Sequence, residues 1–379
     1  MKIVIHSRFP SDVDSPRGGV ETATLGLVRG LLSINAGDIH MVTMEQEIKQ
    51  PVVESVMGVT VHRLPRGRTP LFLDLMMGPG KRQLENYIRS LNPDIVHYHE
   101  TYGLCADLRD FPQVMTIHGF DSLNVVTEQK AFWRLRSKIW HWLEKRYVKR
   151  LKHIISITQY VRDEIEQLTD AQIYDIDNAI NAKYFDLQRN EKPGRLFFAG
   201  WLNPRKNALG LINGFIKVIK SGRDGELHLA GEAKIEWYAK KIQDLIAEHQ
   251  LHDKVKLLGR IPQTEVQREL TEASIFVLPS YQENAPMAIA EAMAVGVPVI
   301  SSNLCGMPYM IDDKRTGFLV DPDDSTALAA IINQLIDNPD LRNTISAAGR
   351  DEAYKRYHPD AVANKTLAVY KKIIAEHRG

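Results

Sequence analysis

Short apolar runs rich in Val, Ile and Leu alternate with longer stretches of helical period along the whole chain. The first half contains KIVIH (Lys2–His6), DIHMVTM (Asp38–Met44), VTVHRL (Val59–Leu64), DIVHYHE (Asp94–Glu100), QVMTIHG (Gln113–Gly119), HIISIT (His153–Thr158) and QIYDI (Gln172–Ile176). The second half contains RLFFAG (Arg195–Gly200), ELHLAG (Glu226–Gly231), KVKLLG (Lys254–Gly259), SIFVLPS (Ser274–Ser280), PVISS (Pro298–Ser302) and GFLV (Gly317–Val320). Near-continuous apolar strands separated by helices predict parallel sheets covered on both faces. There are too many strands for one comfortable sheet, and the polar stretch QRNEKPG (Gln188–Gly194) reads as a linker. The predicted fold is α/β, two doubly wound parallel-sheet Rossmann-like domains, 1–187 and 188–360. Such sheets bind ligands beyond the carboxyl ends of their strands, so two halves facing each other would enclose a central cleft.

Composition narrows this picture only slightly. At 379 residues, 44% hydrophobic and 25% charged, the chain is an ordinary soluble type and too long for one core. A net charge of +1 gives no global attraction to nucleic acid. The two cysteines, Cys105 and Cys305, are far apart; they predict no disulfide framework, read as packing residues and fit a reducing cytoplasm. The start, MKIVIHSRFP, is too short in apolar residues for a signal peptide, and no run of about 18 apolar residues occurs. The expected location is cytoplasmic, with any membrane contact peripheral.

The stretch SYQENAPMAIAEAMAVGVPVISS (Ser280–Ser302) carries two glutamates, Glu283 and Glu291, eight positions apart. The strand before it ends at Ser280. Pro286 suits the first turn of a helix, Gly296 its end, and Pro298 the start of the next strand. Glu283 then lies in the strand-to-helix loop and Glu291 about a turn and a half inside the helix. Between them, near Ala285–Ala288, the free N–H groups of the first turn form an anion site of roughly +0.5 charge. Carboxylates accept hydrogen bonds from sugar hydroxyls and can clasp a vicinal diol. A phosphate on the helix start with a polyhydroxyl group on each side is the layout of a nucleotide sugar. An N-terminal glutamate favouring the dipole and an ordinary surface glutamate is the plainer alternative.

Other strand ends carry compatible chemistry. RLFFAG is followed by WLNPRKNALGLINGF, which places Arg205 and Lys206 at the expected start of a helix, suited to a diphosphate or simply solvated. Gly18 and Gly19, in the loop after KIVIH, allow backbone to approach a ligand. His118, at the end of a strand in MTIHGFD, is placed to donate to a sugar or phosphate oxygen or to make a structural bond. Asp12–Asp14 and Asp175–Asp177 mimic an Asp-x-Asp metal motif, and His97 and His99 share one strand face, but no third ligand is placed near them. A glycosidase-like use of the two glutamates is disfavoured because a hydrolase needs no diphosphate clamp.

Together these segments resemble glycosyltransferase family four, the large retaining group with the GT-B fold. The resemblance covers nearly the whole chain: Gly18–Gly19, TIHGFD with His118, Gly200–Lys206, the Glu-x7-Glu segment Glu283–Glu291, and GMPYMIDDKRTGFLVDP (Gly306–Pro322). It implies a nucleotide-sugar donor, UDP- or GDP-linked, bound mainly by the second domain, a glycan or lipid-linked acceptor bound mainly by the first, and no required metal or cofactor. It also implies that a final helix, 361–379, returns to the first domain. Carried over residue by residue, Glu283 bonds hydroxyls of the transferred sugar, and Ala285, Pro286 and Met287 offer backbone to sugar or diphosphate. Glu291 holds the ribose, and Arg205 and Lys206, beside Gly200, neutralise the leaving diphosphate. His118 contacts the donor sugar near the reacting centre, and Gly18 and Gly19 sit against phosphate or acceptor. Arg260 and Ile261 read the base.

Two positions depart from the family pattern. Trp201 stands where an arginine is common, removing one cation from the diphosphate, and Ala179 stands where a glycine is common. The resemblance points to envelope polysaccharide or glycolipid synthesis. Two other readings stay open: a nucleotide-sugar epimerase on the same fold, or a non-catalytic carbohydrate- or membrane-binding relic. Finally, Lys130–Lys152 holds nine Lys/Arg against one Glu. On a helix, Phe132, Leu135, Ile139, Leu143 and Tyr147 form one stripe, with Trp133 and Trp140 at its edge and most cations opposite. Such a helix suits an anionic membrane surface, and packing against the first sheet is compatible with it.

Overall fold

The computed structural model of the chain describes residues 1–14, 16, 18–67, 79–99, 108–120, 122, 125 and 132–378. It divides into two units, Met1–Asn181 with His358–Gly379, and Ala182–Tyr357.

The first unit is built on an eight-stranded sheet of β1 (Lys2–His6), β2 (Asp38–Glu45), β3 (Val52–Val56), β4 (Val59–Pro65), β5 (Ile95–His99), β6 (Gln113–Ile117), β7 (His153–Ser156) and β8 (Gln172–Asp175). The spatial order is β3-β4-β2-β1-β5-β6-β7-β8, which reverses direction between β1 and β5. Ile3 of β1 aligns with Ile39 on one side and Ile95 on the other, so the central strand is apolar on both faces. Its helices are α1 (Gly19–Ser33), α2 (Pro79–Leu91), α3 (Trp133–Val148), α4 (Gln159–Glu166) and the C-terminal α12 (Pro359–Arg378). Val362, Ala363, Thr366, Val369, Tyr370 and Ile373 recur every three or four positions and give α12 the stripe that packs into this core beside Leu25, Val28 and Leu31 of α1.

One strand departs from the all-parallel expectation. β3 pairs antiparallel with β4 through a tight turn at Met57 and Gly58, both with positive φ. Its VVESV sequence buries no face, because it is an edge strand exposed almost throughout. A period search for buried strands therefore passes over it.

The second unit holds a six-stranded parallel sheet of β9 (Arg195–Ala199), β10 (Glu226–Ala230), β11 (Val255–Gly259), β12 (Ile275–Leu278), β13 (Val299–Ser302) and β14 (Phe318–Val320). Its order is β11-β10-β9-β12-β13-β14, so the chain reverses direction between β9 and β12. Phe197 and Phe276 face each other across that pair, edge to face, with ring centroids 6.0 Å apart. The helices are α5 (Lys183–Asp186), α6 (Ala208–Lys220), α7 (Glu236–Glu248), α8 (Gln263–Glu272), α9 (Met287–Val295), α10 (Ser325–Asp337) and α11 (Pro339–Tyr357).

The packing places the break earlier than the polar linker, at Asn181/Ala182. The short α5 buries Tyr184 and Phe185 within the second unit, and Arg350 of α11 donates to the Phe185 carbonyl. Burial of two aromatic rings outweighs the polar character of the segment that follows them. The return to the first unit comes at His358, just before α12.

Candidate active site

The reversal between β9 and β12 places the ends of two strands side by side with their following loops diverging, the position where doubly wound sheets bind ligands. After β9, the chain makes a 3-10 turn at Pro204–Lys206, capped by the Asn203 side chain, which accepts from the Lys206 N–H at 3.0 Å. Arg205 and Lys206 thus sit on this turn rather than in the first turn of α6. Asn207, in a left-handed conformation, intervenes and caps α6 by accepting from the Gly210 N–H at 3.1 Å.

After β12, the loop carrying Gln282 and Glu283 folds back onto that turn. The Tyr281 N–H donates to the Arg205 carbonyl at 2.8 Å. Arg205 Nη1 donates to the Gln282 carbonyl at 2.7 Å and to Glu283 Oε1 at 2.8 Å. Lys206 Nζ lies 2.7 Å from the same Oε1, with its side chain only 10% exposed and that of Glu283 11%. Two cations therefore share one carboxylate oxygen, and the cluster keeps a surplus of one positive charge in a largely desolvated place. The stem of Lys206 passes over Gly200, where φ is +153°; a Cβ there would meet Lys206 Cε at 3.2 Å. The loop after β13 closes the other side. The Gly306 N–H donates to the Glu283 carbonyl at 2.9 Å, and a Cβ on Gly306 would lie 1.8 Å from the Asn284 carbonyl oxygen. Only glycine fits there.

α9 begins at Met287 with Pro286 at its N-cap and ends at Gly296, which has φ of +83°. It is buried from Ile289 onward, and its one ionisable side chain is Glu291. Burial pushes that carboxyl up to about 7, partly offset by a hydrogen bond donated by the Tyr184 hydroxyl. Burial and the nearby Glu291 charge in turn hold the Tyr184 hydroxyl well above its usual range. Glu283, Ala285, Pro286, Met287 and Glu291 thus lie on one loop-and-helix start, with Arg205 and Lys206 against the first of them. Arg260 and Ile261 follow β11, at the sheet's edge; Arg260 is exposed and Ile261 half-buried.

Trp201, the departure from the family pattern, is exposed, and the Lys234 ammonium lies over its ring, 4.0 Å from the centroid. The loop bearing Lys234 is tied to this edge by the Leu202 N–H, which donates to the Glu232 carbonyl at 3.0 Å. The edge that lacks the arginine thus carries a lysine from the next strand's loop. Tyr184, Gly306 and Lys234 do not stand out as site residues in the sequence. Tyr184 is remote in sequence from Glu291, and no local spacing connects them. Gly306 opens a segment that carries the family resemblance, which is the one available signal.

In the first unit, Gly18 is the N-cap of α1 and both Gly18 and Gly19 are exposed. His118 follows β6 directly. Its Nε2 lies 2.9 Å from Nδ1 of His99, the last residue of β5, and burial holds its imidazole down to about 4. His97 is fully engaged: Nδ1 meets the Tyr370 hydroxyl at 2.6 Å and Nε2 the Thr116 hydroxyl at 2.7 Å. It therefore serves as a structural residue. Asp12 accepts from the Asp14 N–H in a local turn, and Asp175 pairs with Arg162 at 2.6 Å. Ala179, where glycine is common in the family, is buried in the first unit's core. Cys305 is half-buried, less enclosed than a packing residue, and Cys105 lies outside the described residues.

The basic segment is helical over Trp133–Val148, and its apolar stripe splits. Leu143 and Tyr147 are buried with Val148, and Glu144 turns inward to accept from the Ser122 N–H at 3.1 Å. Phe132, Leu135, Ile139 and Trp142 remain 81%, 59%, 47% and 57% exposed. Lys130 lies outside the described residues. No helix among the described residues is long and apolar enough to cross a membrane.

Comparison with known proteins agrees with this architecture. Residues 180–352 match the family model of glycosyl transferases group 1, and residues 17–184 that of Glycosyltransferase Family 4. An uncharacterized glycosyltransferase of Methanocaldococcus jannaschii is 24% identical over 381 residues, 93% of this chain and 94% of its own length. Among solved structures, sucrose-phosphate synthase from Thermosynechococcus elongatus superposes with a TM-score of 0.78 at 20% identity, over 99% of each chain. Anabaena HepE, solved in complex with UDP and glucose, superposes with a TM-score of 0.72 at 17% identity, over 98% of this chain and 99% of its own. With the GT-B fold and both family regions in place, the chain belongs to glycosyltransferase family 4, and it is a glycosyltransferase.

Proposed function

We propose that this glycosyltransferase moves a hexosyl group from a UDP- or GDP-sugar to a glycan or lipid-linked acceptor, with retention of anomeric configuration and without a required metal. The observation that carries the reading is the convergence of Arg205 and Lys206 on Glu283, at the start of the helix that buries Glu291. The diphosphate lies against the two cations and the free N–H groups at the start of α9, and Lys234 adds charge from the neighbouring loop. Glu283, oriented through Oε1, has its other oxygen to accept from the transferred sugar, and Glu291 accepts from the ribose hydroxyls. Ala285, Pro286 and Met287 offer backbone between them, and Arg260 and Ile261 face the base.

As the anomeric C–O bond lengthens, negative charge grows on the diphosphate and positive charge on the sugar ring. Cations and N–H groups already aimed at the diphosphate stabilise that state more than the substrate. The departing phosphate oxygen takes the acceptor hydroxyl's proton on the same face, and the acceptor oxygen forms the new bond to the anomeric carbon. His118 contacts the donor sugar near that carbon, and Gly18 and Gly19 lie against phosphate or acceptor.

The test is a thermal-shift screen with UDP-, GDP-, ADP- and CMP-sugars. The correct donor at about 100 times its Kd adds about 2.7 kcal/mol to the folded state, which raises Tm by several degrees. No shift with any of the four classes would remove the donor reading. Incubation of the shifting donor without acceptor should return no isomerised nucleotide sugar; isomerisation would make the protein an epimerase.

The exposed face of α3 supports a membrane-borne acceptor. Its exposed Phe132, Leu135, Ile139 and Trp142 are flanked by Arg134, Lys138, Lys145 and Lys149, a surface suited to the inner, anionic face of a membrane and hence to envelope glycans or glycolipids. Each cation near such a surface contributes about 1 kcal/mol. Vesicles containing phosphatidylserine should retain the protein at low salt and release it at high salt. The Leu135→Glu/Ile139→Glu double variant should stay in the supernatant. Equal retention of wild type and variant would show that this face does not meet lipid.

A further inference from the structure

The ends of β5 and β6 bring two histidines together, buried His99 and half-buried His118, and the His99 ring has no part in the chemistry proposed above. His99 closes β5, 2% exposed, between His97 and His118. The His97 ring lies with its centroid 4.3 Å from that of His99, and the His118 ring stacks at 5.2 Å on an interplanar angle of 22°. His97 is itself fixed at both nitrogens by Tyr370 and Thr116, so it forms a rigid floor under His99. Among the described residues, the only hydrogen bond to the His99 ring is the one between Nδ1 and His118 Nε2, at 2.9 Å. The Nε2 atom of His99 is buried and meets no donor or acceptor among the described residues.

Burial holds both imidazoles below their usual range, so at neutral pH both rings are neutral. A link between two neutral rings contains one proton, and it can sit on either side. If His118 donated, His99 would carry its own proton on Nε2, a buried N–H without a protein partner. If His99 donates, Nε2 keeps only an unpaired lone pair, and an orphaned acceptor is tolerated better than an orphaned N–H.

We infer that His99 is a positioning residue for His118: its Nδ1–H donates to His118 Nε2, which fixes the His118 proton on Nδ1 and makes that nitrogen the ring's hydrogen-bond donor. The inference rests on the proposed contact of His118 with the donor sugar, because a histidine that serves a sugar hydroxyl or phosphate oxygen needs its N–H on the nitrogen that faces it. It also explains why a histidine closes β5, since Leu at that position would fill the core without setting a tautomer.

The experiment uses the full chain labelled with 15N-histidine and long-range proton–nitrogen spectra, which separate protonated from unprotonated ring nitrogens. In wild type, His118 should show Nδ1 protonated and Nε2 bare. His99→Leu should abolish that preference, and His99→Asn, whose amide nitrogen stands where Nδ1 stands, should restore it. In nucleotide release from the donor identified by thermal shift, His99→Leu should lower kcat by about 10–100-fold, the usual effect of removing an orienting partner, with KM changed less than about twofold. His99→Asn should recover most of the loss. A protonated Nε2 on His118 in wild type overturns the inference even if every variant misfolds. So does an unchanged His118 spectrum in His99→Leu. If instead His118→Ala retains full activity while wild type shows the stated tautomer, the role of His118 in transfer fails and the tautomer assignment stands.

Discussion

Replacing Lys206 by Met is expected to lower kcat/KM by about 10²–10³ while leaving the fold intact, the usual effect of removing one preorganised stabilising group from a transferring centre. The reason is the geometry after β9 and β12. Lys206 Nζ is largely buried and lies 2.7 Å from Glu283 Oε1, so its charge is held in place before any ligand arrives. Met keeps the stem that lies over Gly200, and Glu283 retains Arg205 at 2.8 Å, so the loop keeps its register. What disappears is the point charge that the proposed function sets against the leaving diphosphate. Arg205→Leu should act in the same direction. The double variant should lose less than the sum of the singles in free energy, because both cations act on one carboxylate oxygen and one diphosphate. Lys206→Arg should not rescue, since a planar guanidinium cannot follow the path of the lysine stem over Gly200. The measurement is nucleotide release from the donor found by thermal shift. A Lys206→Met enzyme within about threefold of wild type would falsify the diphosphate clamp.

The second large effect couples stability to binding. Glu291→Gln should make the protein more stable at pH 8 and at the same time weaken donor binding by about 10–100-fold. Burial raises the Glu291 carboxyl to about 7 in the folded protein, above its ordinary 4.5. Between those two values the folded state holds a proton that the unfolded state has released, so stability falls as pH rises. The contribution is fully present below about 4.5 and lost once pH passes 7. The difference amounts to about 3 kcal/mol at most. Glutamine has no proton to lose and still accepts from Tyr184, so its stability should be flat through this window. Unfolding midpoints of wild type and variant should therefore converge near pH 4.5 and separate by several degrees at pH 8. Donor affinity behaves oppositely. In the proposed function the ionised carboxylate accepts from both ribose hydroxyls, each such bond contributing about 1.5–3 kcal/mol, and the amide offers one oxygen. Wild-type affinity should therefore rise as pH passes 7, with no such rise in the variant. A Glu291→Gln variant that binds donor as wild type does would place the ribose elsewhere.

These two glutamates also show where the sequence was sufficient. Pro286 and Gly296 punctuate α9, the apolar run before Ser280 ends a strand, and a charged residue in an otherwise apolar helix is conspicuous. All of this is encoded within some twenty consecutive positions, and the structure keeps it. The strand–helix alternation is local in the same sense, so all thirteen predicted runs became strands. β3 escaped because an exposed edge strand needs no apolar face, and its pairing is fixed by the hairpin turn rather than by burial.

The sequence by itself thus determined the elements, the two-sheet plan and the segments that form the candidate site. Only the tertiary structure decided which side chains meet. Arg205 and Glu283 are 78 positions apart, and their contact exists because β9 and β12 are neighbours at the reversal of the sheet. Tyr184 reaches Glu291 because α5 packs into the second unit, His99 reaches His118 because β5 and β6 lie side by side, and the stripe of α3 divides where the core stops covering it. Period and punctuation act over a few residues through backbone sterics and local burial. Contacts between distant positions depend on strand order, which many sequences with the same local pattern could satisfy differently.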